Sequence, residues 1–347
     1  MQTSSQGKEI LVGIDLGTSR TAIISNRGTK KMIRTVVGYP KDIIGVKILG
    51  QTRVIGEEAL EKHSYLNLFY PLENGVLKET SEKDNQATME LLQHVMTLVG
   101  AGPTDKVSGI VGVPARASIS SRSQLLKFTD SVMDFSMVVS EPFMVAYGLN
   151  RLNRSIIIDI GAGTIDLCAM KGMIPGSDDQ ITLLKGGNYI DDIFMKAVAE
   201  SYPEVQFTPL LAQKIKDAHG FVGDAPEAVV VNLRTGGRPV PHDLTEELRM
   251  SCESIVPDIV ESLEHIITLF DPEEQEEVLQ NIILAGGGSR IRGLDSMIAD
   301  ALQGFGTVKI SRVSDPDYAG AAGALKMASE LPTDYWNQIG DVMGEEG

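Results

Sequence analysis

The sequence predicts an α/β protein built from two related domains. Its 347 residues exceed one ordinary domain and suit two. The strongest sign is an internal repeat: Asp15-Leu16-Gly17 and Asp159-Ile160-Gly161 each follow an apolar, β-prone run, and each precedes a small-residue turn and a second β-prone run. The copies lie about one domain length apart. We therefore expect domain I over residues 1–150 and domain II over residues 151–347.

Composition narrows the class of function. The formal net charge is −16, from 31 basic and 47 acidic residues, so the chain repels nucleic acid and anionic membranes in bulk. Cys168 and Cys252 lack metal-ligand spacing and fit buried thiols in a reducing compartment. The polar N-terminus does not resemble a signal peptide, and no apolar run reaches the ~20 residues of a transmembrane helix. We expect a cytoplasmic protein without nucleic-acid partners or direct membrane insertion.

Domain I is predicted to begin with a β-hairpin that turns at Gly17. The run after Gly38 has weak periodicity, so we expect a small inserted subdomain at about residues 38–70. Helices are indicated by apolar stripes, and strands by short apolar runs. The predicted elements are strands at 10–15, 18–25, 31–37, 107–113 and 137–140, and helices around 91–99, 125–133 and after Pro142.

Domain II is predicted to repeat this beginning. Gly161-Ala162-Gly163 turns the chain between two apolar strands. A mixed segment at about residues 186–245 reads as a second inserted subdomain, and Pro257 is expected to break a long helical pattern. The predicted elements are strands at 155–160, 164–170, 227–233 and 281–284, and helices at 210–218, 243–270 and 293–302.

The two small-residue turns predict a polyphosphate site. A turn of Gly, Ala, Thr and Ser lets backbone approach a ligand, and its successive N–H groups form a concave nest for an anion. The turn residues, and so the candidate phosphate-binding residues, are Gly17, Thr18, Ser19, Gly161, Ala162, Gly163 and Thr164. One such hairpin alone is more often only a hairpin. The pair, facing each other, would hold phosphates from both sides.

Asp15 and Asp159 sit at the strand ends beside these turns. Two carboxylates would repel phosphate unless a cation intervenes, and Mg²⁺ prefers oxygen ligands while keeping its waters. We expect both aspartates to bind Mg²⁺ largely through water. Other phosphate motifs fail: no G-x-x-x-x-G-K-[ST] occurs, and Asp166 replaces the third glycine of a dinucleotide fingerprint.

Two further features are candidates for the same site. The run Gly286-Gly287-Gly288 lies between a strand and a helix, and in this order after the hairpins it favours adenosine binding over a plain flexible loop. Glu141 lies where a strand gives way to a helix. Its carboxylate could orient or deprotonate the attacking water, or it could simply complement the positive end of its helix.

Together these residues resemble the actin, heat-shock chaperone and sugar-kinase superfamily, through the two phosphate motifs, Val113-Pro114-Ala115 and the glycine run. Within it, VVGYPKD at 36–42 and VSEPFM at 139–144 are similar to the bacterial actins of magnetosomes. The resemblance implies an actin-like (ribonuclease H-like) two-domain fold with ATP or ADP and Mg²⁺ in the interdomain cleft.

The resemblance also implies roles for named residues. Glu141 takes the position of the catalytic glutamate. Lys216 and Asp217 fall where actins carry a Lys-Glu pair near the adenosine, with the shorter Asp in place of Glu, and Gly187 lines the same pocket. ATP-driven filaments of identical subunits alongside magnetosomes, with magnetosome-associated adaptor proteins as further partners, follow by the same resemblance.

Two other classes of function stay open on the sequence. One is a sugar-kinase-like or phosphatase-like enzyme on the same fold, although no carboxylate base aimed at a sugar stands out. The other is a chaperone-type ATPase, against which the length argues, because it leaves no room for a peptide-binding domain. Sedimentation with and without ATP separates a filament from both.

Overall fold

The computed structural model describes residues 9–78, 81–115, 117–332 and 336. By internal contacts the chain forms two units, one of Met1–Asn150 with Asp317–Gly347 and one of Arg151–Pro316. The prediction had placed everything after residue 150 in domain II. The structure corrects this for the C-terminal segment, and the reason lies in a helix described below.

The first unit combines a mixed sheet with helices. Its strands are β1 (Glu9–Leu16), β2 (Arg20–Ser25), β3 (Lys30–Arg34), β4 (Val37–Pro40), β5 (Val54–Ile55), β6 (Leu66–Phe69), β7 (Leu72–Glu73), β8 (Val76–Leu77), β9 (Lys106–Val113) and β10 (Phe135–Ser140). Its helices before residue 150 are α1 (Ile43–Leu49), α2 (Glu57–Glu61), α3 (Glu82–Leu98), α4 (Ile119–Asp130) and α5 (Glu141–Leu149).

The main sheet of this unit has the order β10-β9-β1-β2-β3. β1 and β2 form the predicted antiparallel hairpin, while β9 and β10 run parallel to β1. Because parallel strands end at the same edge of a sheet, the carboxyl ends of β1, β9 and β10 lie together. In this register Asp15 is opposite Gly112, and Ser140 is opposite Val113.

The segment after β3 forms a small sheet of its own, in the order β5-β4-β6. The predicted strand at 31–37 is therefore two strands, because Val37 begins β4 in the other sheet. A separate apolar cluster holds this sheet, with Val36, Val54, Ala59 and Leu66 at its centre. Beside it, Asp42 caps α1 by accepting hydrogen bonds from the Ile44 and Gly45 amides at 2.9 and 3.0 Å.

The second unit has the same kind of architecture. Its strands are β11 (Asn153–Ile160), β12 (Ile165–Lys171), β13 (Gln180–Leu183), β14 (Val205–Gln206), β15 (Val230–Thr235), β16 (Arg238–Asp243), β17 (Ile282–Ala285) and β18 (Ile310–Arg312). Its helices are α6 (Gly187–Ser201), α7 (Pro209–His219), α8 (Thr245–Glu253), α9 (Val256–Ile267), α10 (Pro272–Leu279) and α11 (Leu294–Ala301).

The main sheet here has the order β13-β12-β11-β17-β18. Its pairings repeat those of the first unit strand for strand: two antiparallel pairs, then two parallel ones. The internal repeat seen in the sequence is thus a repeated sheet. A further sheet, β14-β15-β16, shares the unit's main core, because Val229 and Leu233 belong to the same apolar cluster as Ile158.

The helix α12 (Ala319–Glu330) explains the corrected division. It packs against β1 and α5, both in the first unit. A Cβ atom on Gly13 of β1 would lie 2.2 Å from the Ala321 carbonyl oxygen, and one on Gly323 would lie 1.8 Å from that of Met144. Real Cβ atoms do not approach so closely, so glycine is required at both contacts. In the described part of the chain, no helix is long and apolar enough to cross a bilayer.

Candidate functional site

In the first unit, the turn between β1 and β2 is held by side chains around it. The Gly17 amide donates to the Arg20 carbonyl at 3.1 Å and closes the turn. The Thr35 hydroxyl donates to the Gly17 carbonyl at 2.7 Å, and the Thr18 hydroxyl accepts from the Gly75 amide at 2.8 Å. A guanidinium nitrogen of Arg34 donates to the Ser19 hydroxyl at 3.1 Å.

Asp15 lies at the carboxyl edge of this sheet. The α12 backbone comes so close that a Cβ on Gly320 would be 2.5 Å from a carboxylate oxygen of Asp15. Desolvation by these surroundings raises the pKa of the Asp15 carboxyl to about 6. A cation nearby would oppose this penalty on the charged form, so the site fits a Mg²⁺ ligand.

Glu141 is the first residue of α5 and is 8% exposed. Its Cγ lies 3.2 Å from where a Cβ on Gly112 would stand, and Gly112 is the register partner of Asp15. The structure thus brings Glu141, Asp15 and the first turn to one edge of one sheet. The hydroxyl of Ser140, which precedes α5, makes no capping bond to it.

In the second unit, the backbone of α6 holds the corresponding turn. The Gly161 amide donates to the Thr164 carbonyl at 2.9 Å. The amides of Gly187 and Asn188, which begin α6, donate to the carbonyls of Gly161 and Ala162 at 2.9 and 2.8 Å. These bonds satisfy N–H groups that a helix start leaves without an intrahelical acceptor.

The carbonyls of this turn therefore point at α6, while some of its amides remain available. Among the residues that the structure describes, none accepts a backbone hydrogen bond from the Ala162 or Gly163 amide. Successive amides of this kind are donors for an anion. Gly186 must be glycine here, because a Cβ would lie 2.7 Å from the backbone of Ala162, Gly163 and Thr164.

Asp159 is buried at the end of β11 and stands opposite Asp166 of β12. Asp166 is held by two hydroxyls, from Thr164 at 2.8 Å and Thr182 at 2.5 Å. Two carboxylates in cross-strand register repel each other, so hydroxyl donors on one and a cation near the other both reduce the cost. Neither Asp166 nor Thr182 is among the candidate site residues that the sequence predicts.

The three glycines of the loop after β17 have different surroundings. A Cβ on Gly286, whose φ is +71°, would lie 2.4 Å from an Asp159 carboxylate oxygen. A Cβ on Gly288 would lie 2.1 Å from Ile160, whereas one on Gly287 would meet nothing within 4 Å. Two of the glycines thus allow the loop to pack on the end of β11, and the third faces open space.

Lys216 and its neighbour Asp217 point to different surroundings on α7: the first is buried and the second is exposed. Lys216 is 9% exposed, and its ammonium donates to the Gly187 carbonyl at 2.8 Å. It also forms an ion pair of 2.8 Å with Asp191 of α6. Asp217 is exposed on α7. The structure brings Lys216 and Gly187 into contact and adds Asp191 to them.

Similarity to known proteins agrees with this architecture. The model of the MreB/Mbl protein family matches residues 9–334. The actin-like protein MamK of Magnetospirillum gryphiswaldense is 49% identical over 336 residues, which cover 97% of this chain and 93% of that protein. A solved MamK double helical filament has a TM-score of 0.92 at 47% identity and covers 94% of this chain and 100% of that one.

A second solved structure, of a non-polymerising MamK mutant bound to AMPPNP, has a TM-score of 0.74 at 47% identity and covers 93% of this chain and 100% of that one. The match to the family extends over nearly all of the described residues, and its relatives share the repeated sheet's actin-like fold. The chain belongs to the MreB/Mbl family.

Proposed function

We propose that this protein is a filament-forming ATPase that binds Mg²⁺–ATP through both phosphate hairpins. The observation that carries the proposal is the repeated half-site: two sheets of one strand order, each ending in an aspartate and a glycine turn at the same position. The AMPPNP bound by the similar MamK mutant supports a nucleoside triphosphate as the ligand.

In this proposal the turn residues bind phosphate oxygens. The Ala162 and Gly163 amides of the second hairpin donate to phosphate oxygens. Gly17, Thr18 and Ser19 form the phosphate-binding turn of the first hairpin. When bound, Mg²⁺ supplies positive charge that offsets the carboxylates and the phosphates. Asp15 and Asp159, held at the strand ends, are the residues that would bind the ion, largely through water.

On the adenosine side, we propose Gly187, Lys216, Asp217, Gly286, Gly287 and Gly288 as lining residues. Gly287 carries the most weight among them, because its missing side chain is not required by protein packing. Bare backbone there admits a flat ring or a ribose. Asp217, exposed on α7, would make the outermost contact.

Glu141 is proposed as the residue that orients or deprotonates the attacking water. Its burial beside Asp15's edge of the sheet supports this, since a merely dipole-complementing carboxylate needs no burial. The carboxylate would accept a proton from the water as the water oxygen bonds to the γ-phosphorus and the bond from that phosphorus to the ADP oxygen breaks.

We further propose that the filament is made of identical subunits and organises magnetosome chains in the cytoplasm, with adaptor proteins as additional partners. The support is the solved double helical filament of MamK at 47% identity. The chain also carries an apolar surface suited to self-association: Ile43, Ile44 and Ile48 of α1 are 83%, 61% and 55% exposed.

The test combines phosphate release with sedimentation under saturating Mg²⁺–ATP. The wild-type protein should release phosphate and pellet with ATP. Glu141→Gln should keep AMPPNP affinity but release phosphate about 10²–10⁴-fold more slowly, because a general base or water-orienting group contributes about that factor. Its filaments should then persist after those of the wild type have disassembled.

The matched control is Glu82→Gln, which neutralises an exposed glutamate in the first turn of α3. It should leave phosphate release unchanged. A wild-type rate of phosphate release in Glu141→Gln would show that Glu141 only complements the positive end of its helix. ADP formation that requires an added sugar, without free phosphate and without a pellet, would favour a kinase-like enzyme instead, because the phosphoryl group would then be on the sugar.

A further inference from the structure

We propose that Asp191 is a positioning residue of the nucleotide site, which acts by fixing the Lys216 ammonium and, through it, the start of α6 against the second phosphate turn. The inference rests on the proposed ATP binding and extends it. It assigns a function to a buried carboxylate that touches none of the proposed phosphate or metal ligands.

The first link is an ion pair between α6 and α7. Lys216 and Asp191 have side chains that are each 9% exposed, and the ammonium lies 2.8 Å from the Asp191 carboxylate. The same ammonium donates to the Gly187 carbonyl at 2.8 Å. A Cβ on Gly187 would lie 3.0 Å from the ammonium, so a side chain there would displace the ammonium by a few tenths of an ångström. The pair thus ends on the first residue of α6.

The second link joins α6 to the phosphate turn. The Gly187 and Asn188 amides donate to the Gly161 and Ala162 carbonyls. The Gly161 and Ala162 carbonyls belong to the same peptide units as the Ala162 and Gly163 amides, and in a trans peptide the carbonyl and the amide point in opposite directions. The direction of these two amides therefore depends on where α6 begins. Asp191 lies four residues into the helix and, with Lys216, sets that place.

A carboxylate is needed at position 191 because the Lys216 ammonium is charged and buried. Without Asp191 the buried Lys216 ammonium would have no opposite charge beside it, which is strongly unfavourable. The ammonium would then leave the Gly187 carbonyl and move toward solvent. The groups that face Asp191 are Lys216 and Asp217 of α7, Asp192 of its own helix and the Cys252 thiol of α8. Burial, with smaller contributions from Asp217 and Asp192, raises the pKa of Asp191 to about 6 despite Lys216.

A consequence follows for pH. Above about pH 6 Asp191 is ionised and holds Lys216, whereas protonation below that value removes the attraction. Nucleotide affinity should therefore fall as pH falls through 6. Asp15 and the nucleotide phosphates titrate in the same range, so a variant must separate the contribution of Asp191.

The experiment compares Asp191→Asn with Glu200→Gln, which removes the same charge from an exposed residue farther along the same helix. The probe is Mg²⁺–AMPPNP in calorimetry. At pH 7.5 we expect Asp191→Asn to bind about tenfold more weakly than the control, the lower end of the effect of outer-shell partners. KM for ATP should rise by a similar factor with kcat nearly unchanged, because ground and transition states lose the same contact.

The ratio of the two dissociation constants should narrow toward one between pH 7 and pH 5, as Asp191 becomes protonated in the control. Asp15 and the ligand are the same in both variants, so they cancel in the ratio. Asp191→Glu, which restores the charge, should recover part of the affinity. A purely structural pair would change stability without this pH-dependent ratio.

A measurement on the wild-type protein needs no variant to fold. Hydrogen exchange of the Gly187 and Asn188 amides, corrected for intrinsic rate, should speed up as pH falls through 6, relative to α11. Equal affinity of the two variants at pH 7.5, or protection that does not change with pH, would overturn the inference alone. A wild-type protein that does not bind AMPPNP would overturn the proposed function first.

Discussion

In the first unit, side chains of Arg34 and Thr35, together with one backbone bond from the Thr35 amide to the Ser19 carbonyl, hold the β1–β2 turn. In the second unit the backbone of α6 holds the β11–β12 turn. Thr35 and Arg34 donate hydrogen bonds to the first turn. Gly187 and Asn188 donate from the helix start to the second. The two turns therefore follow one strand pattern with two kinds of support.

The difference teaches where each half is vulnerable. A substitution that removes one side-chain hydrogen bond leaves the others in place, and it costs the free energy of that one bond. Where two backbone segments pack closely because a glycine lacks a Cβ, any added side chain forces the backbone itself to move, and all the contacts there change together. We expect the second turn to be the less tolerant of the two.

The largest effect is expected from Gly186→Ala. Its Cβ would lie 2.7 Å from three backbone atoms of the second turn, so the turn or α6 must shift. A displacement near 1 Å at a ligand site can cost about 10²-fold, and we expect a loss of this order in Mg²⁺–AMPPNP affinity by calorimetry.

The control for this variant is Gly304→Ala, where a Cβ meets nothing within 4 Å. It should bind as the wild type does. A Gly186→Ala protein with affinity within about threefold of the control would show that the second turn adapts freely, and the contrast between the hairpins would then disappear.

A smaller effect is expected from Thr35→Val in the first unit. Thr35 is buried, and its hydroxyl contacts the Gly17 carbonyl at 2.7 Å and the Thr21 hydroxyl at 2.9 Å. Leaving these groups unpaired should lower the free energy of unfolding by about 1–3 kcal/mol. Denaturant titration measures it, and Thr97→Val, at an exposed hydroxyl on α3, should change it little. A wild-type midpoint would mean that water replaces the lost donor.

The smallest effect concerns Asp15 in the protein without metal or nucleotide. The folded state raises the pKa of Asp15 from 3.8 to about 6, so the folded protein holds this proton more tightly than the unfolded chain does. Stability from this group is therefore present below pH 4 and is lost as pH rises through 6. Because the side chain is partly accessible, we expect Asp15→Asn to stabilise the protein at pH 7.5 by about 1–2 kcal/mol.

The gain in Asp15→Asn should vanish by pH 4, and the exposed Asp224→Asn should show none at either pH. Thermal unfolding in EDTA across this range measures both. Added Mg²⁺–ATP should reverse the order and favour the wild type. An Asp15→Asn protein that is less stable at pH 7.5 would indicate that the carboxylate already has a compensating partner.

The repeated hairpins could be predicted from the sequence because each is local: an apolar strand, an aspartate, a small-residue turn and a second strand within about fifteen residues. Helix α6 carried a readable signal as well, since Ile190, Phe194 and Val198 recur every four residues. The glycines at its start masked that signal, and the segment was predicted only as mixed.

Other features depend on contacts between distant residues and left no local signal. The pairing of Lys216 with Asp191 joins two helices, and the repulsive register of Asp159 with Asp166 follows from a sheet. Nor could the sequence distinguish Gly287 from its neighbours, because the three differ only in what a Cβ would meet. The predicted roles of the site residues stay predictions until they are tested as above.

The position of α12 has a consequence for how the chain folds during synthesis. The second unit is continuous from Arg151 to Pro316, so the ribosome can release it as a complete unit. The first unit begins earlier but lacks α12, which covers β1 through Gly13 and meets α5 at Gly323. At about 5–20 residues per second, the residues between Asn150 and α12 take on the order of 10–30 s to synthesise. We expect the half of the protein that is made first to be the last to finish folding, with one face of its sheet bare in the meantime.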